Sequence, residues 1–360
     1  MSTALPLPVP PAYRGGMVHV PLRLRLDGGA LVANWRWLAG RSGAAACGAA
    51  VKADGYGLGA RGVVERLLAA GCRDFFVATW AEAEALMPWP DGLDLSVLHG
   101  VLPHDMAAAL RSPARPVLNS PGQVARWRET GRPCDVMVDT GINRLGLAPG
   151  DVAAGLLDGL TIETLMSHLA CADENSEANE IQRRTFAELA VGVEAKRLSL
   201  ANSAGICLGR DYAFGLTRPG LALYGGVPRR EALGHIRQVA RVEAQILQRR
   251  RIEAGARVGY GGTFAAERPH ELAILNLGYA DGYLRGFSGT GRARIGEAFA
   301  PVVGRVSMDL TAICVDDAPE LTEGDWIELD YELPQAAAQS GLSQYELLTT
   351  LSARFERIWR

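Results

Sequence analysis

The chain has 360 residues, 48% of them hydrophobic, and a formal net charge of −3; that length suits two domains, or one large barrel with an appendage. This balance gives no general pull towards nucleic acid or an anionic membrane, and no apolar run reaches the roughly 18 residues of a membrane span. Six cysteines and six histidines are scattered without C-x-x-C pairs or metal-ligand spacing, so the expectation is no disulfide framework, no metal site and a reducing, cytoplasmic setting.

Residues 1–15 read as a flexible tail, rich in Pro and Ala but without the basic start and continuous apolar core of a secretory signal. Over 22–38 a short strand leads into a helix with Leu31, Trp35 and Leu38 on one face. Strand and helix then alternate. Apolar strand candidates are 46–51, 74–79, 95–99, 116–119, 135–139, 162–168, 197–201 and 216–224, with helical patterns over 62–70, 81–87, 104–111, 121–130, 149–157 and 176–193. Eight strands are the count that closes a parallel (β/α)8 TIM barrel. An open doubly wound sheet is the alternative, but its G-x-G-x-x-G turn is missing after the first strand. Past Gly225 the rhythm changes to strand-like alternation over 240–248, 272–277, 301–316 and 326–329 between glycine-rich turns, the pattern of a mainly antiparallel β domain. A helix over 344–355, with Ser343 as its N-cap, and a short strand finish the chain. The expected division is the tail at 1–15, a barrel over 16–238 whose first strand can pair with the second domain, and a C-terminal β domain over 239–360.

Of 37 basic residues only Lys52 and Lys196 are lysines. A C=N bond to a carbonyl needs a primary amine that can lose its proton, which arginine cannot supply. Lys52 closes an apolar strand and precedes three glycines (Gly55, Gly57, Gly59), a place where backbone must come close to something; Lys196, beside Arg197, reads as a surface residue. In a parallel barrel the site lies at the C-terminal strand ends. Those ends carry Lys52 and Tyr56, the run Asp139-Thr140-Gly141-Ile142-Asn143-Arg144, Ser167-His168, Asn202-Ser203, and Thr217-Arg218-Pro219-Gly220. The loops after strands seven and eight are the usual phosphate cradle, which gives Ser203 and Gly220 a task. An amine opposite a phosphate cradle is what pyridoxal phosphate requires.

Eight ordered motifs then carry a resemblance. They are Val51-Lys52-Ala53-Asp54-Gly55-Tyr56-Gly57, the Asp139 to Gly146 run, Ser167-His168-Leu169-Ala170, Asn202-Ser203-Ala204, Arg218 to Gly225, Val258-Gly259-Tyr260-Gly261-Gly262-Thr263-Phe264, Gly278-Tyr279-Ala280-Asp281-Gly282-Tyr283 and Val303-Gly304-Arg305-Val306-Ser307-Met308-Asp309. From about residue 20 to the end the chain resembles the bacterial alanine racemases. The resemblance implies a pyridoxal-phosphate barrel followed by a β domain, a head-to-tail homodimer with shared sites, and interconversion of L- and D-alanine for peptidoglycan. It implies Lys52 as cofactor lysine and first base, and Tyr260 as the second base from a partner subunit. His168 and Arg218 would support Tyr260, with Arg218 also facing the pyridine nitrogen. Tyr56, Ser203, Gly220 and Leu221 would contact the phosphate, Arg144 the cofactor's phenolic oxygen and the substrate, and Met308 the substrate carboxylate. Tyr279 and, more distantly, Asp173, Arg285 and Arg305 would line the entry.

Three positions depart from the family pattern. Met137 stands where a lysine is frequent, leaving open what orients Arg144; Ala353 stands where some members place a phosphate-binding tyrosine; Leu58 replaces a common histidine. Alternatives that share the fold are a serine or broad-specificity racemase, separated by the size of the side-chain pocket, and a decarboxylase, disfavoured by Arg218. A non-catalytic pyridoxal-phosphate carrier is disfavoured by the β domain with its Tyr260 motif.

Overall fold

The computed structural model describes residues 19–360, so the tail expected at 1–15 lies outside the described residues. The first strand, β1 (Leu22–Leu26), runs into helix α1 (Gly28–Ser42). Asp27 opens that helix by accepting the Ala30 N–H at 2.8 Å, which satisfies one of the donors every helix start leaves free. Leu31 and Leu38 of α1 are fully buried. Between them Asn34, 0% exposed, bonds in three directions: it donates to the carbonyls of Leu223 (3.2 Å) and Arg237 (2.8 Å) and accepts the Arg237 N–H (2.8 Å).

Nine short strands follow: β2 (Ala46–Cys47), β3 (Ala49–Ala50), β4 (Asp74–Val77), β5 (Asp94–Val97), β6 (Arg115–Leu118), β7 (Cys134–Met137), β8 (Ile162–Met166), β9 (Ala195–Ser199) and β10 (Leu216–Thr217). Strands β3 to β9 form one parallel sheet in chain order. Strands β2 and β3 are one strand interrupted at Gly48, where a Cβ would lie 2.7 Å from the Asp74 carbonyl. Strand β10 closes the circle. It pairs in parallel with β2, and Gly215 and Arg218 donate their N–H groups to Leu198 (3.0 Å) and Ala201 (2.8 Å) at the β9 side. Apolar side chains such as Val51, Phe75, Val97, Val117, Val136 and Leu165 are buried completely or nearly so, as a parallel sheet covered by helices requires.

The second unit contains β11 (Ala240–Ile252), β12 (Arg257–Val258), β13 (Phe264–Ala265), β14 (His270–Leu275), β15 (Arg292–Ile295), β16 (Ala298–Pro301), β17 (Thr311–Cys314), β18 (Trp326–Leu329) and β19 (Glu356–Trp359). Its pairings are antiparallel except one. Strand β1 lies here, antiparallel to β11 and parallel to β19.

Four expected elements change. The strand expected over 216–224 stops at Thr217, because Pro219 has no N–H for a ladder and 221–224 coil into a 3-10 turn. The helix expected over 149–157 ends at Ala153, followed by positive-φ glycines at 155 and 159. The strand expected over 301–316 shrinks to β17, interrupted by Gly304 (φ 71°) and a turn in which Ser307 donates to Leu310. The helix expected over 344–355 spans Gln344–Thr349, and a second one, Leu333–Ser340, precedes it with Pro in its first turn.

Asn34 joins α1 to the segment that leaves the barrel, so Asn34→Ala should lower stability by about 2–4 kcal/mol, since buried main-chain groups would lose their partner. A urea midpoint that stays at the wild-type value would show that the three bonds carry no net stability.

Candidate active site

The lysine turn has the longest run of positive-φ residues among the described residues. After Val51 the path reverses hand: Ala53 (φ 54°, ψ 46°), Asp54 (51°, 52°) and Gly55 (64°, 43°) form a left-handed turn, and Tyr56 (φ 55°) and Gly57 (φ 82°) continue it. For L-residues this costs roughly 1–2 kcal/mol each, and three of the five are not glycine, so the surroundings must over-determine the turn. They do. Gly55 donates to Val51, Gly57 to Ala53 and Gly59 to Asp54, each at 2.8 Å, and the Asp54 carboxylate accepts the Ala60 N–H at 2.8 Å. Glycine is required at 57, where a Cβ would come within 2.4 Å of the Leu348 carbonyl. Arg357 donates to the Gly57 carbonyl through Nε (3.0 Å) and Nη2 (2.8 Å). The C-terminal segment thus clamps the turn on which Lys52 stands.

Lys52, Arg144, His168 and Arg218 share one electrostatic environment at the barrel mouth. Burial pushes the Lys52 amine down, Arg144 pushes it further, and Glu82 opposes them. Burial pushes the His168 imidazole down to about 3, with Arg218, Arg144 and Lys52 adding their repulsion. Arg218 is 7% exposed; it donates to the Ser199 hydroxyl and, at 2.6 Å, to the Ser167 carbonyl. Burial lowers it to about 10, so it stays charged at neutral pH.

Met137 is buried, and its thioether has no charge or N–H with which to orient a guanidinium. The loop is held instead by Asp139, whose carboxylate accepts the N–H groups of Gly141 (2.8 Å), Asn143 (3.1 Å) and Arg144 (2.8 Å). Burial works against the charge of Asp139, but these bonds outweigh it and hold the carboxyl below its usual range. Gln182 ties the loop to its neighbour by donating to Thr140 (3.4 Å) and to the His168 carbonyl (3.0 Å). Asp139 opens a run that the sequence marks, but its task of holding the loop, like the whole part of Gln182, appears only in three dimensions.

Tyr56, Ser203 and Gly220 meet as expected of a cradle. The Ser203 hydroxyl accepts the N–H groups of Gly220 (2.9 Å) and Ala222 (3.2 Å), and a Cβ on Gly220 would stand 2.2 Å from the Tyr56 hydroxyl. Leu221 is buried beside them. Tyr56 stacks on Tyr224 at 4.6 Å. A second phenol arrives unannounced: Tyr345 lies 6.3 Å from Tyr56, ring to ring, on a helix anchored by reciprocal bonds between Gln344 and Val227. Ala353, where the sequence pattern placed a missing tyrosine, is exposed, whereas Tyr345, eight residues earlier, sets an aromatic ring beside Tyr56. Burial, and then Asp173, raises the Tyr345 pKa. Leu58 is fully buried and packs as core.

The other expected residues stand on the β domain. Tyr260, in the turn between β12 and β13, is 66% exposed, and Met308 is 52% exposed. Tyr279 and Met308 share one structure, in which Tyr279 donates to the Ser307 carbonyl and Ala280 to the Met308 carbonyl. Arg285 lies over the Tyr279 ring at 5.2 Å. Arg305 packs against the Tyr260 turn, its Nη1 3.3 Å from where a Gly261 Cβ would be. Lys196 pairs with Glu163 at the surface. Among the described residues one His/Cys/Asp group converges, His270, Cys314 and Asp316; Asp316 already accepts from His270 (2.8 Å) and pairs with Arg268 (2.9 Å). No helix among the described residues is long and apolar enough to cross a membrane.

A closed parallel barrel with a half-buried lysine among arginines at its mouth, joined to a β domain through β1 and β19, defines a two-domain barrel enzyme. The comparisons agree in both halves: residues 26–228 match the family described as alanine racemase, N-terminal domain, and 239–359 its C-terminal domain. The chain belongs to the alanine racemase family. It is 42% identical to an alanine racemase of Acidiphilium cryptum over 93% of this chain and 98% of that one. It is also 42% identical to a biosynthetic alanine racemase of Agrobacterium fabrum, over 94% of each. Among solved structures, alanine racemase from Bartonella henselae with covalently bound pyridoxal phosphate superposes with a TM-score of 0.88 at 34% identity, covering 94% of this chain and 99% of that one.

The neutral imidazole of His168 has a pH signature. Its folded pKa of about 3 lies below the roughly 6.5 of an unfolded histidine, so its contribution to stability is whole above pH 6.5 and drains as the pH falls towards 3. The difference in thermal midpoint between wild type and His168→Asn should therefore narrow between about pH 7 and pH 4. A difference independent of pH would contradict a neutral buried imidazole.

Proposed function

We propose that the chain interconverts L- and D-alanine with two bases, Lys52 and the Tyr260 of a second copy of the chain, using pyridoxal phosphate. The observation that carries the reading is the Lys52 amine: one of two lysines in the chain, half-buried, lowered in pKa and facing Arg144 in a barrel mouth. The residues fit the cofactor. Lys52 would hold it covalently, the hydroxyls of Tyr56 and Ser203 and the backbone at Gly220 and Leu221 would take its phosphate, and Arg144 its phenolic oxygen. When bound, pyridoxal phosphate supplies a carbonyl for the amine and a ring that draws electrons from Cα.

The chain's own groups then divide the work. The Lys52 amine, kept from full protonation by burial and Arg144, moves a proton at one face of Cα. A single base would return the proton where it came from, so Tyr260 serves the opposite face. An unperturbed phenol has a pKa near 10; His168, neutral in the fold, would accept the hydrogen bond that helps the phenol give up its proton. Arg218, locked by Ser199 and Ser167, would donate to the ring nitrogen without surrendering a proton to it. That limits the charge drawn away from Cα and favours its reprotonation. Arg144 and the Met308 backbone would hold the substrate carboxylate, with Tyr279 at the entry.

Tyr260, Met308 and Leu310 are exposed together on the β domain, which supports a head-to-tail homodimer in which this face covers the partner's barrel mouth. The free state of all six thiols suits the cytoplasm. Peptidoglycan as the destination of the D-alanine rests on the family resemblance.

Incubating L-alanine with the enzyme in deuterated water should yield both enantiomers carrying deuterium at Cα; exchange with full retention of configuration would refute racemisation. Lys52→Ala should remove bound cofactor and activity together, and Tyr260→Phe should keep the cofactor while cutting turnover by about 10²–10⁴-fold. Mixed and reassorted, the two inactive variants should regain up to about a quarter of wild-type activity, because half the dimers then hold one intact site. No regain would refute sharing of sites.

A further inference from the structure

Resting on the reading of Lys52 as the cofactor lysine, we propose that Glu82 is a positioning residue for its amine: one carboxylate ties the left-handed lysine turn to the end of the neighbouring strand. Strands β3 and β4 run side by side, Ala49 against Phe75 and Ala50 against Phe76. Lys52 follows β3, and Glu82 sits in the first turn of the helix Trp80–Ala85 that follows β4. Glu82 Oε1 accepts the Ala53 N–H at 2.8 Å. Its Oε2 accepts the N–H groups of Ala78 (2.6 Å) and Thr79 (3.4 Å).

The ordinary task of such a glutamate is a helix cap, and Glu82 performs it: the Thr79 hydroxyl accepts the Glu82 N–H at 3.2 Å while Oε2 answers Thr79. A cap needs nothing from the other oxygen. That oxygen crosses to Ala53, 29 positions earlier, the residue next to Lys52 and the first to take the left-handed conformation. At this residue the chain changes hand, and Glu82 supplies its N–H with an acceptor. Glu82 is also the group that opposes burial and Arg144 in setting the charge of the Lys52 amine. The turn, and with it the direction in which the amine points, therefore depends on a side chain from the next strand.

The helix-cap role and the positioning role separate in variants of the holoenzyme. Thr79→Ala breaks the other half of the cap without touching the lysine turn. Glu82→Gln keeps size but offers a single acceptor oxygen where Ala53 and the Ala78–Thr79 pair need two, and Glu82→Ala removes both. The measurements are thermal midpoint, kcat, cofactor retained after dialysis, and the fraction of Lys52 peptide carrying cofactor after borohydride reduction. Thr79→Ala should lower the midpoint yet keep kcat, retention and trapping within about twofold. Both Glu82 variants should lose about 10–100-fold in kcat, the scale of a displacement near 1 Å, and should retain and trap less cofactor on Lys52. Glu82→Gln, near the wild type in shape, carries the test if Glu82→Ala does not fold. Wild-type behaviour of both Glu82 variants with normal trapping on Lys52, or equal losses in Thr79→Ala, overturns the inference. If the wild-type enzyme itself traps no cofactor on Lys52, the reading of that lysine fails, and the positioning role falls with it.

Discussion

A turn of the wrong hand is the constraint on which the site depends. Left-handed backbone is unfavourable for Ala53, Asp54 and Tyr56, and it persists because four parts of the molecule converge on it. Asp54 bonds the helix that follows, Glu82 reaches from the next strand, Tyr224 stacks under Tyr56, and Arg357 and Leu348 press from the C-terminal unit. The result is an amine projected from the end of a strand with little freedom of direction. That is the property a group needs if it is to meet one face of one carbon.

Charge is the second constraint. Three cationic side chains, Lys52, Arg144 and Arg218, stand around one imidazole, and their repulsion together with burial keeps both the amine and the imidazole from holding protons as they would in water. The carboxylates in the region are engaged with main-chain N–H groups: Asp139 supports the Arg144 loop and Glu82 the Lys52 turn. Guanidiniums therefore gather at the mouth while these anions serve as framework. Such a field suits a ligand with a phosphate and a carboxylate.

Much of this could be read from the amino-acid order, and the reasons are local. Lysine in a chain that otherwise uses arginine marks a need for chemistry that arginine lacks. The alternation of apolar runs and helical patterns gave the parallel barrel, since buried strands of such a sheet are apolar throughout. What escaped was set by distance. Gln182, Glu82 and Tyr345 lie far along the chain from the groups they touch, and each looks like an ordinary helix residue in its own neighbourhood. Tyr345 is a case in point, because its ring comes beside Tyr56 on a helix whose placement follows from the Gln344–Val227 bonds. Strands stop short of their apolar runs where proline or glycine interrupts, as at Pro219 and Gly304.

The joining of first and last strands bears on the order in which the enzyme becomes competent. Strand β1 has β19 as one of its two neighbours, Gly28 at the start of α1 donates to the carbonyl of Arg360, and the lysine turn accepts Arg357 from β19. The Gly57 carbonyl and Arg357 are 300 positions apart. Barrel strands that pair with near neighbours in sequence can form early, but the clamp on the lysine turn needs a contact across most of the chain. Completion of the site is thus a late step in folding, set by the docking of β19 beside β1.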